Sequence, residues 1–341
     1  MSENYAKNRP DGFNNRIERV AIVGAGGSIG QHLAKALLGT GKHAVTAITR
    51  AGSTSKIPSG AKAVAVDYED EDSIVAALKG QQFLIISMSI AAPRGTQEKL
   101  IQAAAKAGVS WVMPNCYGTD FTNVSLGEEG LTRQAVMTGI TAAEEAGVSW
   151  IAMGCSFWYE LSLAQGADWF GFDLRNNQRK ITFYDDGTTR INTSTWPQCG
   201  RAIASLLSLK ELPEDENDNS TTISNWRNKP LWVSSFLISQ REMLDSVQRV
   251  TGTTDKDWVI EYEGSKERWL RGMGMLKKGN SDGWSIAMYA RTFYPNGDGN
   301  IEAKYGLANE ALGLPKEDLD EASKRAMEMA ERGYAYRTNR I

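Results

Sequence analysis

The sequence predicts an α/β chain with a doubly wound parallel sheet, followed by a smaller carboxy-terminal α+β lobe. Strand-like and helix-like segments alternate six times within the first 155 residues, with short connections between them. The strand-like segments are short apolar runs, as expected for strands buried on both faces of a parallel sheet. A glycine cluster follows the first of these runs. Together these features are typical of βαβ units and of the Rossmann-type fold.

Each strand and helix of this first part has its own sequence signal. The predicted strands, in order, are RVAIVGA, HAVTAITR, AKAVAVDY, QFLIISMS, SWVMPN and SWIAMG. Helices are predicted over residues 28–38, in DEDSIVAALKG, in TQEKLIQAAAKAG and in the segment that ends at EEAG. The acidic first turn of the second helix suits the helix dipole, and a glycine caps the third.

The alternation ends after Gly154, where an aromatic-rich segment begins. KITFYDDGTTRINTST predicts a hairpin around Asp186-Gly187, and later segments predict further strands in KPLWVSS and DWVIEYEG. We therefore divide the chain into a nucleotide-binding domain, residues 1–155, and a substrate-binding lobe, residues 156–341. Some of the later strands, between residues 180 and 262, are expected to complete the sheet.

The composition excludes several classes of function. The 341 residues are 41% hydrophobic and 23% charged, with a net charge of −3 and no block of Lys or Arg. Nucleic-acid binding is therefore not expected, because it needs a clustered basic surface. No run approaches the roughly 20 apolar residues that span a bilayer, and the amino terminus lacks the apolar run of a signal peptide. We expect a cytoplasmic protein, either a monomer or a homodimer.

Cysteine and histidine are too scarce for several kinds of site. The three cysteines are widely separated, and the chain has only two histidines. This pattern predicts no disulfide framework, no zinc ligand set and no histidine-based catalytic triad.

The segment after the first strand predicts a site for a dinucleotide. Gly24-Ala25-Gly26-Gly27-Ser28-Ile29-Gly30 satisfies Gly-x-x-Gly-x-x-Gly at Gly24, Gly27 and Gly30, and Gly-x-Gly-x-x-Gly if one extra residue is allowed. The first glycine allows a tight turn, the second lets the backbone approach the pyrophosphate, and the last lets helix and strand pack closely. The helix that follows directs its free N–H groups at the phosphates.

The end of the second strand predicts that the dinucleotide is NADP(H). An NAD site usually has Asp or Glu there, whereas this chain has Thr49-Arg50, followed by Ser53 and Lys56. An arginine with nearby hydroxyl and amine groups suits a 2′-phosphate. Topology adds candidates at the ends of the third and fourth strands, beside the adenine and the nicotinamide ribose. These are Asp67, Tyr68, Ser87, Met88 and Ser89.

The catalytic group is harder to predict. Extended short-chain reductases use a Tyr-x-x-x-Lys pair on one helix, and the single literal match here is Tyr262 to Lys266. That match spans a predicted strand-to-helix turn, so the two side chains need not share a helix face. We interpret it as a coincidence.

The chain resembles a known family. The glycine loop, the strand ending in Thr-Arg, and Pro114-Asn115-Cys116-Tyr117-Gly118 are similar to the NmrA-like, isoflavone-reductase-like group of atypical short-chain dehydrogenases. The stretches FWYE, DDG and NTSTWP, which follow the sixth strand, resemble its fungal CipA-like oxidoreductase branch. The resemblance implies an NADP(H)-dependent oxidoreductase of secondary metabolism, and we assign Pro114 and Asn115 to the cofactor site.

This chain departs from the plant reductases of the group at two places. They have Pro-Ser-Glu-Phe-Gly after the fifth strand, where Asn115, Cys116 and Tyr117 stand here. They also use a lysine on the next helix, where counting back from Gly147 gives Val136. The candidates for acid–base chemistry are then the titratable groups after strands five and six. Tyr159 is our first choice and Tyr117 our second, followed by Asp120 and Glu160.

Three functions remain open. The first is an NADPH-dependent reductase of a C=O, C=N or conjugated C=C bond in an aromatic or polycyclic natural product. The tryptophan-rich lobe favours it, because a few of these rings could stack on a flat substrate. In the second, the enzyme also or instead catalyses iminium cyclisation in alkaloid assembly. Asp120 or Glu160 would then supply the acid. The third is a non-catalytic NADP(H)-sensing regulatory protein. No metal site is predicted.

Overall fold

The structure, a computed structural model, describes residues 5–89, 92–174, 179–334 and 336. Seven strands form the central sheet, and six short strands form two smaller sheets. The central strands are β1 (Arg19–Val23), β2 (Ala44–Arg50), β3 (Lys62–Val66), β4 (Phe83–Ile86), β5 (Trp111–Met113), β6 (Ser149–Gly154) and β11 (Lys229–Trp232). The others are β7 (Phe157–Trp158), β8 (Phe172–Asp173), β9 (Lys180–Tyr184), β10 (Arg190–Ser194), β12 (Phe236–Ser239) and β13 (Val259–Glu263).

Helices cover both faces of the central sheet and build the carboxy-terminal half. In the first half they are α1 (Gly30–Gly39), α2 (Glu71–Leu78), α3 (Thr96–Lys106), α4 (Val124–Glu129), α5 (Arg133–Glu145) and α6 (Tyr159–Ala164). In the second half they are α7 (Trp196–Leu207), α8 (Gln240–Thr251), α9 (Ser265–Lys277), α10 (Gly283–Thr292), α11 (Ile301–Tyr305) and α12 (Leu319–Glu331). No helix of the described residues is long and apolar enough to cross a bilayer.

The central sheet confirms the predicted fold class. Its order is β11-β6-β5-β4-β1-β2-β3, and each pair of neighbouring strands is parallel. The direction of winding reverses between β1 and β4. In open α/β sheets, ligands bind outside the carboxyl ends of the strands at this reversal point.

The apolar runs of the sequence form two cores, one on each face of this sheet. Val20 and Ile22 belong to the core that α1 and α7 cover, whereas Ala21 and Val23 belong to the core under α2, α3 and α5. Successive strand residues point to opposite faces. A strand buried on both sides therefore has to be apolar throughout.

The second half confirms one expectation and corrects another. A late strand, β11, joins the central sheet beside β6, as expected for the strands between residues 180 and 262. The predicted hairpin around Asp186-Gly187 is wrong, because β9 and β10 do not pair with each other. β9 pairs with β8 and β13, whereas β10 pairs with β12 and β7. The turn is present, with the Gly187 N–H donating to the Tyr184 carbonyl at 2.9 Å. It directs the chain from one small sheet to the other, and such long-range pairing is invisible to a local turn motif.

Candidate active site

The glycine loop lies between the end of β1 and the start of α1, and its glycines are required by close packing. Gly24 has a φ of +78°, and a Cβ atom there would lie 1.8 Å from the Ser87 carbonyl oxygen. A Cβ at Gly30 would lie 2.1 Å from the carbonyl oxygen of Gly24. A Cβ at Gly26 would lie 2.8 Å from the backbone oxygen of Lys56. The loop therefore holds the start of α1 tightly against the sheet.

The start of α1 is suited to an anion. Ile29 is the N-cap residue, and no side chain caps the helix. The first turn contains no acidic residue. The exposed Gly27 and the half-buried Ser28 leave this side of the loop accessible. Uncapped N–H groups at a helix start, together with the helix dipole, favour a phosphate group.

The end of β2 exposes to solvent the arginine that is predicted to bind the 2′-phosphate. Arg50 is exposed at the last position of the strand. It lies near Tyr68, where burial raises the pKa of the phenol and the positive charge of Arg50 opposes that rise. Ser53 and Lys56 lie on the exposed loop that follows, and the Ser53 N–H donates to the Arg50 carbonyl at 3.0 Å.

Two of the predicted groups are occupied by local bonds. The Asp67 carboxylate accepts the Glu69 N–H at 2.9 Å, and the Thr49 hydroxyl donates to the Val64 carbonyl at 3.5 Å. The Asp67 carboxylate therefore stabilises the turn that follows β3.

The ends of β4 and β5 are tied together by amide side chains. The Asn115 side chain accepts the Met88 N–H at 3.2 Å and donates to the Met88 carbonyl at 3.1 Å. The Asn115 N–H in turn donates to Gln97 Oε1 at 2.7 Å. Pro114 is buried, and Ser89 is exposed. These bonds hold the two strand ends in a fixed arrangement at the reversal point of the sheet.

A cleft of about 800 Å³ opens at this same edge of the sheet. Residues after β4, β5 and β6 form its floor, and α5 and α10 contribute its sides. Seven aromatic side chains belong to the lining. They are Tyr117, Phe157, Trp158, Trp169, Trp284, Tyr289 and Tyr336. This concave, mostly apolar space with a few polar groups has the character of a small-molecule site.

Tyr117 is one of the two tyrosines predicted for proton transfer, and it lines the cleft. Its hydroxyl donates to the Ile86 carbonyl at the end of β4, at 3.0 Å. Burial raises the pKa of this phenol well above its usual value. Tyr117 therefore keeps its proton at neutral pH.

Tyr159 lies elsewhere. It is fully buried in the core and is not among the residues that line the cleft. Its hydroxyl shares a hydrogen bond of 2.6 Å with Ser323 Oγ on α12. We expected Tyr159 to face the nicotinamide as first candidate, but the structure directs it away from the cleft. The reason is that α6 begins at Tyr159, so the chain turns inward directly after the cleft-lining Trp158.

The two acidic candidates are also outside the cleft lining. Asp120 is fully buried, and its carboxylate accepts bonds from the Thr122 N–H at 2.9 Å, the Asn123 N–H at 3.1 Å and the Tyr305 hydroxyl at 3.0 Å. Glu160 pairs with Arg325 at 3.0 Å, and burial raises its pKa. Asp120 orders the loop before α4, and Glu160 connects α6 to α12.

Several residues of the cleft were not predicted. Gln97 on α3, Met288 and Tyr289 on α10, and Tyr336 come from three separate parts of the chain and carry no local motif. Val136, where the family resemblance implies a lysine, does line the cleft. No lysine or histidine lines it within the described part of the chain. The literal Tyr-x-x-x-Lys match is outside the cleft, with Tyr262 exposed on β13 and Lys266 on α9.

The described residues contain no group of three or more His, Cys, Asp or Glu side chains suited to a metal ion. The three cysteines are free and buried. Burial raises the pKa of the Cys116 thiol well above its usual value. Cys116 is therefore a packing residue.

Comparison with known proteins gives related proteins over most of the chain. Residues 17–129 match the model of the NmrA-like family. The oxidoreductase aprR of Aspergillus flavus is 29% identical over 308 residues, which are 89% of this chain and 96% of that protein.

Solved structures show the same fold at low sequence identity. A chain from the crystal structures of pinoresinol-lariciresinol and phenylcoumaran benzylic ether reductases is similar with a TM-score of 0.72 and 18% identity, over 91% of this chain and 99% of that one. AtPrR2 with NADP⁺ and (+)-pinoresinol is similar with a TM-score of 0.62 and 19% identity, over 94% of this chain and 99% of that one.

Proposed function

We propose that this chain belongs to the NmrA-like, isoflavone-reductase-like family and is an NADPH-dependent reductase of an aromatic or polycyclic compound. The observation that carries the proposal is the position of the aromatic cleft. It opens at the carboxyl edge of the sheet, beside the ends of β4 and β5, and the uncapped start of α1 lies on the same edge. A dinucleotide extended along this edge would reach from the glycine loop into the cleft.

The residues present fit NADP(H). The close approach of Gly24 and Gly30 to the sheet leaves a glycine surface over which a pyrophosphate can lie, with the N–H groups at the start of α1 directed at it. Arg50, exposed at the end of β2, is placed to pair with a 2′-phosphate, and Ser53 and Lys56 follow on the next loop. A guanidinium can bind phosphate through two parallel hydrogen bonds, which discriminates NADPH from NADH.

The strand ends would hold the nicotinamide half. Ser87 and Met88 lie where β4 ends, and Asn115 fixes the Met88 backbone through two hydrogen bonds. When bound, NADPH supplies a hydride. The chain's own part is to orient the acceptor bond of the substrate, exclude water and provide a proton.

Tyr117 is our proposed proton donor. It is the titratable candidate that lines the cleft, and its raised pKa keeps the phenol protonated. A general acid has to reach the reacting atom, so the buried Tyr159 is no longer our first choice. The Tyr117 proton points to the Ile86 carbonyl in this structure, so the hydroxyl has to rotate toward the substrate to donate.

The side chains that line the cleft support the proposed substrate class. Trp158, Trp169 and Trp284 offer large flat surfaces, and Met288 adds an adaptable apolar one. A planar aromatic molecule with a C=O, C=N or conjugated C=C bond would bury its ring against these side chains. AprR is named an oxidoreductase, and AtPrR2 was solved with NADP⁺ and (+)-pinoresinol, which supports a reductase that acts on a small molecule. A role in fungal secondary metabolism, within the CipA-like branch, belongs to this proposal.

The experiment is a titration of the purified protein with NADPH, NADH, NADP⁺ and NAD⁺, followed by tryptophan and nicotinamide fluorescence. NADPH consumption is then measured with a panel of aromatic aldehydes, enones and imines. We expect tight binding of NADPH, weak binding of NADH and turnover with at least one acceptor. Equal or absent binding of NADPH and NADH would contradict the cofactor assignment.

One observation favours a second candidate, a sensor of the NADP(H) redox state. Val136 lines the cleft at the position where the resemblance implies a catalytic lysine. A sensor would bind NADPH and NADP⁺ with clearly different affinities and turn over no member of the panel. The cyclisation alternative is less favoured, because Asp120 and Glu160, which were to supply its acid, are absent from the cleft lining.

A further inference from the structure

The carboxy-terminal segment, defined here by Tyr334 and Tyr336, leaves α12 through a specific cap. Gly333 has a φ of +65°, and its N–H donates to the Ala330 carbonyl at 3.0 Å. The Tyr334 N–H donates to the Met329 carbonyl at 3.1 Å. These two bonds form a Schellman motif, which ends a helix and fixes the direction of the departing chain. The backbone geometry of this motif therefore sets the direction in which the carboxy-terminal segment leaves α12.

Tyr334 lies at the glycine loop. Its hydroxyl is 3.1 Å from Ser28 Oγ, at the uncapped start of α1. Its ring contacts Trp196 edge to face at 6.2 Å, and Trp196 stacks on His32 of α1 at 5.5 Å. The tyrosine thus rests on α1 through an aromatic pair and presents its hydroxyl beside the expected pyrophosphate position.

Gln165 binds the backbone on both sides of the segment. Its Nε2 donates to the Tyr334 carbonyl at 2.9 Å, and its Oε1 accepts the Tyr336 N–H at 3.0 Å. One amide side chain therefore holds two backbone groups in the way that a neighbouring strand would. This arrangement limits the freedom of Tyr334 relative to the glycine loop.

Tyr336 extends the contact into the cleft. Its ring meets Trp158 at 6.2 Å and Trp169 at 5.8 Å, in both cases edge to face. Tyr336 is also part of the cleft lining. The carboxy-terminal segment is therefore anchored at three places, namely Ser28, Gln165 and the two tryptophans.

We propose that Tyr334 is a cofactor-binding residue, whose hydroxyl, together with Ser28 and the start of α1, donates a hydrogen bond to the pyrophosphate. This inference rests on the proposed NADP(H) function and extends it to a residue more than 300 positions away from the glycine loop. Gln165 acts as a positioning residue, because it holds the backbone of the segment. A hydrogen bond from a neutral hydroxyl to a charged phosphate oxygen is strengthened by the charge.

The test compares NADPH binding to the wild-type protein, Tyr334→Phe, Gln165→Ala and Tyr262→Phe. Tyr262→Phe is the matched control, because Tyr262 is exposed on β13 and lies outside the cleft lining. We expect Tyr334→Phe to raise the NADPH dissociation constant about tenfold. Gln165→Ala should raise it in the same direction, and the control should leave it unchanged.

A competitor separates pyrophosphate binding from a general loosening of the site. Adenosine 2′-phosphate carries the adenine, its ribose and the 2′-phosphate but lacks the pyrophosphate. Tyr334→Phe should leave its affinity unchanged, whereas damage to the whole site would weaken both ligands.

Each other outcome has a defined meaning. If the wild type binds NADPH and Tyr334→Phe binds it equally well or more tightly, the inference is overturned and the proposed function stands. A parallel loss of both ligands would also overturn it. Failure of the wild type to bind NADPH would overturn the proposed function, and the inference with it.

Discussion

The glycine loop and the aromatic cleft lie on the same edge of the sheet but are built in different ways. The loop is one run of residues, 24–30, whose shape depends on backbone packing. The cleft is assembled from side chains after three strands, from the four helices α3, α5, α6 and α10, and from Tyr336 near the carboxy terminus. A local motif can therefore report the loop, whereas the cleft depends on how distant segments pack. The two regions should also respond differently to substitution.

The largest effect is expected in the loop. In Gly30→Ala the new Cβ would lie 2.1 Å from the Gly24 carbonyl oxygen, so the start of α1 has to move away from β1. We expect the free energy of unfolding to fall by about 3 kcal/mol, as for overpacking of a tight core, and NADPH binding to be lost. Urea denaturation and fluorescence titration measure the two effects.

Gly39→Ala is the matched control at the other end of α1, because a Cβ there meets no atom within 4 Å. It should stabilise the helix by up to about 1 kcal/mol and leave NADPH binding intact. Equal behaviour of the two variants would mean that the loop does not depend on close packing.

The next effect distinguishes the two tyrosines. Tyr117→Phe removes the hydroxyl that lines the cleft and should lower kcat about 100-fold, as expected for loss of a general acid. Tyr159→Phe removes the buried bond to Ser323 and should cost about 1 kcal/mol of stability with little change in kcat. Steady-state kinetics and denaturation of both variants measure this difference. The reverse result would support Tyr159, and not Tyr117, as the proton donor.

The pH dependence gives an independent view of Tyr117. Burial raises the pKa of its phenol well above 10, so the group stays protonated throughout the neutral range. Below that raised pKa the acid form is fully populated, and the activity is lost only as the pH rises through it. We therefore expect no loss of kcat/KM from this group between pH 6 and about 9. A basic-limb decline within that range, present in the wild type and absent in Tyr117→Phe, would contradict the raised pKa of Tyr117.

Cofactor selectivity should change by a smaller factor. Arg50→Ala removes the guanidinium at the end of β2, and we expect NADPH affinity to fall about 30-fold while NADH affinity stays the same. Lys42→Ala is the control, because it removes an exposed positive charge from the turn before β2. Loss of NADPH affinity in both variants would indicate a general electrostatic effect instead of a specific contact.

The smallest effect concerns the pH dependence of stability that is due to His32 on α1. Burial lowers the pKa of His32 to about 4, and the nearby Lys35 acts in the same direction. Because the unfolded chain binds this proton more readily, stability is lost as the pH falls from about 6.5 toward 4, by about 1 kcal/mol once solvent screening of this half-buried ring is allowed for. Urea denaturation at pH 7 and pH 4.5 should show a smaller loss for His32→Gln than for the wild type. An identical loss in both proteins would contradict the assignment.

The sequence predicted the position of those candidate residues whose placement depends on local chain geometry. Gly24 to Gly30, Arg50 and the strand ends at Ser87 and Asn115 lie on the edge where topology put them. The prediction was wrong where it depended on the direction in which a side chain points. Tyr117 and Tyr159 both follow strands of the sheet, yet α6 begins at Tyr159 and carries it into the core. No local pattern distinguishes the two directions, because aromatic residues suit a cleft and a core equally well.

The sequence by itself determined the α/β class, the parallel sheet and the loop at the end of β1. Each of these follows from the alternation of apolar runs with helices and from glycines that local backbone packing requires. Tertiary structure alone decided which aromatic rings line the cleft, that β9 and β10 join different sheets, and that Tyr334 reaches Ser28. Those features depend on contacts between residues far apart in the chain. Such contacts form only when the whole core packs, so no short segment encodes them.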